Sequence, residues 1–205
     1  IRYSTVPDGS VNSQFSDTVM DDVASSLFVN YDTACTWYNK KNEEQVDSVV
    51  DYVIITTNLI EANSVKLSSF VTHKQNLGYT VQVITEDEFN GLTGQTPNGR
   101  AEKIRQWLIN NYGSLGIKYV LLIGDPSPSG SGIPMKMCWP RKGATRYPEY
   151  EESPTDYFYA DLTGNWDINN NQYFGELVDY STPGGVDLTP EVYVGRIPVY
   201  GTDYS

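Results

Sequence analysis

The sequence holds one histidine and two cysteines, the residue types from which a cysteine hydrolase builds its base and nucleophile. His73 lies in the middle of a predicted helix, whereas catalytic groups of parallel α/β sheets usually follow the carboxyl ends of strands. Cys138 stands beside Trp139 in a context typical of packing, and Cys35 lies in the polar N-terminal part of the chain. These positions favour a half-exposed helix histidine over a catalytic one. We therefore predict that no residue of this chain is catalytic.

The same counts limit metal and disulfide chemistry. A zinc site of four cysteines, or of two cysteines and two histidines, is excluded within one chain because too few ligands exist. Two states remain possible for the cysteines, free thiols or a disulfide. The packing contexts favour two buried free cysteines, and export from the cytosol would allow a Cys35–Cys138 disulfide.

Asp125 directly follows an apolar run and precedes Pro126. A phosphoacceptor aspartate can occupy such a place, but that chemistry needs further carboxylates after the first strand to hold Mg²⁺. The first strand ends instead in Thr56, Thr57 and Asn58. We therefore interpret Asp125 as a residue that starts a turn.

The strongest chemical pattern is an alternation of oxygen-bearing side chains from Asp167 onwards. A tight loop would turn every second side chain inward, and Ca²⁺ collects six to eight oxygen ligands in this manner. The match to an EF-hand loop is partial, since Gln172 replaces the usual glycine and the closing acid is at the tenth position. The alternative is an Asn-rich solvated turn. The sequence favours a structural calcium site formed by some of Asp161, Asp167, Asn169, Asn171, the Tyr173 carbonyl and Glu176.

Arg196 lies in Val194–Pro198, a segment otherwise suited to burial. A buried guanidinium requires a carboxylate partner, and its planar fork suits a bidentate one. Asp125, Asp156 and Asp161 are available at predicted strand ends. We expect a structural ion pair between Arg196 and Asp156, because the segment containing Asp156 is the preceding predicted strand and consecutive strands are often neighbours.

The elements that position these residues follow a strand–helix alternation. The strands are short apolar runs, and the intervening helices show apolar residues on one face. This order predicts an α/β fold, a three-layer sandwich with a mostly parallel sheet of four or more strands, caspase-like or flavodoxin-like. The predicted elements are strand Tyr52–Thr57, helix Glu61–Leu77 with Asn58 as its cap, strand Tyr79–Ile84, helix Asn98–Asn111 ended by Gly113, strand Lys118–Ile123, a short strand within Ile133–Trp139, strand Thr155–Asp161 and strand Glu191–Ile197.

Two regions fall outside this alternation. Residues 1–48 form a polar leader arm, partly helical between Asp17 and Tyr38, which we expect to pack on the domain formed by residues 49–205. Residues 161–187 form a long Asn/Asp-rich loop, and loops of this length within a compact domain are usually functional.

Composition excludes several classes of function. The 26 acidic and 14 basic residues give a net charge of −12, which argues against nucleic acid and anionic membrane surfaces as partners. No apolar run of about 18 residues is present, so no membrane span is expected. The many Tyr, Asn, Ser and Thr residues favour a protein that is secreted or displayed on a cell surface.

Three segments in order resemble the gingipain-type cysteine peptidases, which have a caspase-like fold. They are Phe70–Val81, Lys118–Asp125 followed by Ile133 and Pro134, and Thr155–Asp161 continued by Glu191–Pro198, and they cover about residues 50–200. In that family this stretch is the first of two subdomains of the peptidase unit. The family's His-Gly pair, nucleophilic cysteine and assisting acid lie in the second subdomain, after the Gly-Arg strand.

The resemblance implies a bacterial, secreted cysteine endopeptidase, often calcium-bound, of which this chain is the non-catalytic N-terminal scaffold. Its partners would be the missing C-terminal catalytic subdomain and the protein or peptide substrates of the full-length enzyme. The alternatives are a homologue that kept the fold and lost its catalytic residues, and a calcium-stabilised surface adhesion module. The adhesion module would bind through exposed aromatic residues, for which Trp139, Tyr147, Tyr150 and Trp166 are the candidates.

Overall fold

The structure is a computed structural model, and it describes residues 23, 25–27, 29, 31, 50–142 and 151–201. The chain divides into two compact units, residues 1–45 and residues 46–205. In the first unit, residues 23, 25–27 and 31 are helical, and Leu27 is exposed. The rest of the predicted leader helix, together with Cys35, lies outside the described residues.

The centre of the second unit is a four-stranded sheet formed by β1 (Tyr52–Ile55), β2 (Val81–Ile84), β3 (Tyr119–Gly124) and β6 (Tyr193–Pro198). Its strand order is β2-β1-β3-β6, and all three pairings are parallel. The strands are short apolar runs because side chains from both faces are buried. The predicted α/β class with a four-stranded parallel sheet is confirmed.

Helices cover both faces of this sheet, which makes three layers. Alternate strand residues point to opposite faces. On face 1, Val53 and Leu122 belong to a core cluster with Ile104 and Leu108 of α4 (Arg100–Leu115). The cluster on face 2 contains Tyr52, Ile54, Leu121 and Ile123, together with Ile60 of α1 (Asn58–Asn63) and Leu67 of α2 (Leu67–Asn76).

The single helix predicted for Glu61–Leu77 is wrong, since the chain forms α1 and α2 with a break between them. Thr57, not Asn58, is the N-cap of α1, and its side-chain oxygen accepts a hydrogen bond from the Ile60 N–H. Ser64 is extended at the break, and its hydroxyl accepts hydrogen bonds from the N–H groups of Lys66 and Leu67. Ser competes with helical hydrogen bonding in this manner, so it ends one helix and begins the next.

Helix α4 begins and ends later than predicted. A short helix, α3 (Glu86–Phe89), precedes it, with a capping box between Thr85 and Glu88. The predicted end at Asn111, with Gly113 just past it, is wrong because α4 continues to Leu115. Gly116 ends it in the left-handed conformation at φ 73°, which glycine adopts without steric cost.

The connection from β3 to β6 contains a second, two-stranded antiparallel sheet of β4 (Lys136–Cys138) and β5 (Ser153–Thr155). The predicted strand Thr155–Asp161 is wrong, since β5 ends at Thr155 and a 3₁₀ turn spans Tyr157–Tyr159. The Thr155 hydroxyl accepts a hydrogen bond from the Tyr157 N–H and turns the chain there. The last helix is α5 (Leu177–Ser181). Within the described parts of the chain, no helix has the length and apolar character needed to cross a membrane.

Candidate functional site

Cys138 and His73 lie on opposite faces of the main sheet. Cys138 is buried in the core cluster of face 1, whereas α2, which carries His73, packs through Leu67 on face 2. Burial raises the pKa of the Cys138 thiol to about 12; Lys136 acts against this shift and Asp179 adds to it. Cys138 is a free thiol directed at the Lys136 carbonyl, 3.8 Å away. The nucleophile and base of a cysteine peptidase must be within hydrogen-bond reach, so these two residues do not form that pair.

Arg196 and Asp156 form a bidentate ion pair. Its Nε and Nη2 donate to the two carboxylate oxygens of Asp156, each at 2.7 Å, and Nη1 donates to the Ile133 carbonyl at 2.6 Å. β6 pairs with β3 and not with the strand before it, so the expected pairing of consecutive strands was wrong although Asp156 is the partner of Arg196. Asp156 follows β5 and lies among the segments packed over face 1. Arg196 therefore connects the edge strand of the main sheet to the layer above it.

Asp161 is the centre of a buried hydrogen-bond network. Its carboxylate accepts four hydrogen bonds, from the backbone N–H groups of Thr163, Gly164 and Asp187 and from the Trp166 indole. A carboxylate offers about four lone-pair sites, so these donors occupy its capacity. The structure thus places Asp161, which was expected to contribute to the calcium site, in a hydrogen-bonding role without a free oxygen for a cation.

Two charged residues, Arg105 of α4 and Glu191 before β6, complete this network. Arg105 of α4 donates through Nε and Nη2 to the Asp161 carbonyl at 2.9 and 2.7 Å, and Nη2 also reaches the Gly164 carbonyl at 2.8 Å. Burial lowers the pKa of Arg105, and the negative charges of Asp161 and Glu191 oppose that shift. Glu191 accepts hydrogen bonds from the Leu162 N–H and the Thr163 hydroxyl, and burial raises the pKa of its carboxyl.

The predicted calcium loop folds into a compact turn. The two oxygens of Asp167 accept hydrogen bonds from the N–H groups of Asn171 and Gln172. The side-chain amides of Asn169 and Asn171 both donate to Oε1 of Glu176, at 2.7 and 2.5 Å. Four of the predicted ligand side chains therefore lie together, and two of them converge on one carboxylate oxygen.

The backbone of this loop has the conformation that an EF-hand-like loop requires at its sixth position. Gln172 has φ 66°, in the left-handed region where that motif normally places glycine. The Tyr173 N–H donates to the side chain of Asn171 at 2.8 Å. Among the described residues, no group of three or more His, Cys, Asp or Glu side chains is arranged to hold a metal ion. Asp167 and Glu176 supply the carboxylate ligands of this loop. The donor set suits Ca²⁺ only when the amide and carbonyl oxygens of the loop are added to these two carboxylates.

Sequence reasoning missed two buried basic residues. Besides Arg105, Lys136 on β4 forms a buried ion pair with Glu102 of α4, and its ammonium lies over the ring of Phe174. An arginine and a glutamate on the apolar face of a helix were the signal available in the sequence, since buried charges are retained only when paired. These contacts hold the segment before β6 onto α4.

The aromatic surface proposed for an adhesion module is not formed as expected. Trp166 is buried, 1% exposed, and packs edge-to-face on Phe158 at 5.4 Å between ring centroids. Trp139 is half-buried and packs on Tyr173. Tyr147 and Tyr150 lie outside the described residues. The expectation of an exposed Trp166 was therefore wrong, because its indole N–H is needed by Asp161.

The strand order and the separated thiol and imidazole define a class of protein: a flavodoxin-like three-layer α/β unit in which Cys138 and His73 form no catalytic pair. The model of peptidase family C25 matches residues 45–203, and the chain therefore belongs to peptidase family C25. This is the family of the gingipain-type peptidases to which the sequence bears its resemblance. No curated protein and no solved structure matches the chain.

Proposed function

We propose that this chain is the N-terminal, non-catalytic scaffold subdomain of a secreted, bacterial gingipain-like cysteine endopeptidase, which hydrolyses proteins or peptides as the full-length molecule. The observation that carries this proposal is the separation of Cys138 and His73 by the main sheet in a chain of a cysteine peptidase family. Nucleophile and base would then come from a second subdomain. Secretion is supported by the acidic, Tyr-rich composition.

A scaffold must hold its shape where the second subdomain adjoins it. β6 is at the end of the strand order, so one of its edges is unpaired within the sheet of the described residues. Arg196 connects this edge strand to Asp156 and to the Ile133 carbonyl. We infer that this edge is the side on which the catalytic subdomain is supported, since a strand end anchored in this manner resists displacement.

We also propose that the loop Asp167–Glu176 binds one structural Ca²⁺. Its ligands would be Asp167, Asn169, Asn171, the Tyr173 carbonyl and Glu176. Asp161 would stabilise the chain next to this loop through its hydrogen bonds. Bound Ca²⁺ would supply positive charge between Asp167 and Glu176, whose mutual repulsion is offset here by N–H donors. The two asparagines would turn their amide oxygens towards the ion.

The scaffold proposal is tested with the recombinant chain and a fluorescent casein substrate, together with a thiol-directed peptidase probe. We expect neither hydrolysis nor labelling at a catalytic rate. Hydrolysis that disappears in Cys138→Ala or His73→Ala would contradict the proposal. Reading the complete gene is the second test: a His-Gly pair after one strand and a cysteine after another are expected beyond the matched region, and their absence would favour the homologue that lost catalysis.

A further inference from the structure

The chain contains two asparagine–glycine pairs, Asn90–Gly91 and Asn98–Gly99, and both lie on the connection between β2 and α4. An asparagine followed by glycine can lose its side-chain amide when the backbone nitrogen of the glycine attacks the asparagine Cγ. Glycine favours this reaction because it has no Cβ to shield its nitrogen or to restrict the backbone. All four residues are exposed, so access to water does not distinguish the two pairs.

The side chain of Asn98 is held by a hydrogen bond. Its Oδ1 accepts from the Gly94 N–H at 2.7 Å, and its backbone is left-handed at φ 61°. Gly99 is the N-cap of α4, and a Cβ there would lie 2.9 Å from Oε2 of Glu102. The Asn98 amide therefore has to give up a hydrogen bond, and Gly99 has to move in a crowded position, before the two can react.

The Asn90–Gly91 pair has neither restraint. Among the described residues, no hydrogen bond involves the side chain of Asn90, and no backbone hydrogen bond uses the Gly91 N–H. A Cβ at Gly91 would meet no atom within 4 Å. Asn90 is the C-cap of α3, a helix of only four residues. The nitrogen and the side-chain amide of this pair can therefore approach each other with little loss of existing contacts.

We propose that Asn90 is a site of spontaneous deamidation in the folded protein, whereas Asn98 is protected. The Gly91 nitrogen forms a bond to Cγ of Asn90, the Cγ–Nδ2 bond breaks, and the Gly91 amide proton leaves with Nδ2 as ammonia. The resulting succinimide takes up one water molecule. Addition of water at Cγ gives aspartate, and addition at the main-chain carbonyl carbon gives isoaspartate, in which the chain runs through Cγ.

The modification changes a turn that is attached to the core. Phe89 is fully buried, and its carbonyl accepts a hydrogen bond from the Leu92 N–H at 3.1 Å across the two residues between them. Isoaspartate adds one carbon atom to the main chain inside this turn. Both products carry a negative charge beside the Lys103 ammonium, which donates to the Asn90 carbonyl at 2.8 Å. The proposal involves neither calcium nor peptidase activity, so it can fail while the proposed function stands.

Incubation of the 205-residue chain in mildly alkaline buffer, folded and in guanidinium chloride, tests the site. Mass spectrometry detects the replacement of NH₂ by OH as a gain of about one dalton, and fragmentation of the peptide that spans both pairs assigns it to a residue. In guanidinium chloride we expect similar rates at Asn90 and Asn98, because both precede glycine.

In the folded chain we expect Asn90 to convert at least tenfold faster than Asn98. Three results would overturn the proposal. The first is conversion of Asn98 in the folded chain as fast as that of Asn90. The second is a preference for Asn90 that is equally large in guanidinium chloride. The third is no conversion of Asn90 in the folded chain during the time in which the unfolded chain converts.

A substitution at Gly91 tests the reaction itself. Gly91→Ala should slow the conversion of Asn90 at least tenfold, because the added methyl group hinders attack by the nitrogen. The open surroundings of Gly91 accept this methyl group without a clash. Gly113→Ala is the matched control, since Gly113 is also exposed with no atom within 4 Å of an added Cβ, and it should leave the rate at Asn90 unchanged. An equal rate at Asn90 in the two variants would contradict the site.

Discussion

Arg196 is a single residue whose removal tests how β6 is anchored. Arg196→Met leaves Asp156 without its partner and the Ile133 carbonyl without a donor. Breaking a buried ion pair costs about 3–5 kcal/mol. We expect the low end, about 3 kcal/mol, because the Asp156 side chain is 21% exposed. Urea denaturation of the variant and the wild type measures the loss.

The double variant Arg196→Met/Asp156→Asn should be little less stable than Arg196→Met, since the second change removes the unpaired charge. Arg100→Met provides a comparison, because Arg100 contacts Glu86 through one nitrogen at 3.2 Å and both side chains are partly exposed. That change should cost about 1 kcal/mol or less. If Arg196→Met lowers the free energy of unfolding by no more than Arg100→Met does, the ion pair does not anchor the strand.

Cys138 is predicted to be chemically inert in the folded protein. Its pKa of about 12 keeps the thiol protonated, and the thiolate is the reactive form. In a Cys35→Ser background, iodoacetamide at pH 8 should modify Cys138 only after unfolding in urea. Mass spectrometry measures the modification, and rapid labelling under native conditions would contradict the burial of this side chain.

The same shift predicts a dependence of stability on alkaline pH. A thiol in an unfolded chain has a pKa of about 8.5, below that of folded Cys138. The folded state therefore keeps a proton that the unfolded state loses, so this contribution to stability is present below about pH 8.5 and is lost as pH rises towards 12. Cys138→Ala should make the free energy of unfolding less sensitive to pH in that window, as measured by urea denaturation.

At the level of the element, α4 contains a glycine that nothing in its surroundings requires. A Cβ at Gly113 would meet no atom within 4 Å, whereas Gly116 has a positive φ at the end of the helix. Gly113→Ala should stabilise the protein by roughly 0.5–1 kcal/mol, because alanine favours the helix interior. Gly116→Ala should destabilise it by roughly 1 kcal/mol. Thermal denaturation compares the two, and equal effects would contradict the helix end at Leu115.

The loop Asp167–Glu176 is predicted to respond to calcium as a unit. Ca²⁺ at a hundredfold excess over its dissociation constant should stabilise the folded state by about 2.7 kcal/mol. Thermal melts in calcium and in chelator measure the effect, and Glu176→Gln should reduce it. Glu152→Gln is the control, since Glu152 is an exposed acid outside the loop. Identical midpoints with calcium and chelator would refute the site.

Elements with a strong local signal were predictable, and those determined by distant contacts were not. The apolar runs of β1 and β3 lie in the predicted places because strands covered on both faces must be apolar throughout. The alternation of Thr155–Asp161 also indicated a strand. There, however, Phe158 and Tyr159 are both buried, because the 3₁₀ turn directs them into the core of face 1.

The candidate sites show the same division. The loop from Asp167 could be predicted because its donors lie close together in sequence. The role of Asp161 could not be predicted, because its partners Trp166 and Asp187 come within hydrogen-bond distance only when the long loop folds back. Arg105 contacts residues 56 and 59 positions away, and no local pattern indicates such a contact.

At the level of the whole molecule, the separation of Cys138 from His73 predicts that the rate of hydrolysis does not depend on either of these two residues. Any residual hydrolysis by the 205-residue chain should be unchanged in Cys138→Ala and in His73→Ala, since the two lie on opposite faces of the sheet. The chain joined to the following sequence of its gene should hydrolyse casein if the scaffold proposal holds. That longer protein should keep its activity in Cys138→Ser, provided that the variant remains folded.

The pairing of β6 with β3 has a consequence for how the protein is made. Tyr119 aligns with Tyr193, so the sheet joins residues 74 positions apart, and the long acidic loop lies between them. During synthesis, β1, β2 and β3 can assemble while the ribosome still adds residues of that loop, and the outer edge of β3 stays open until Pro198 has emerged. An open edge of this kind can pair with other chains. The protein is therefore prone to aggregation while the loop is being synthesised. This period ends when β6 pairs with β3 and Arg196 contacts Asp156.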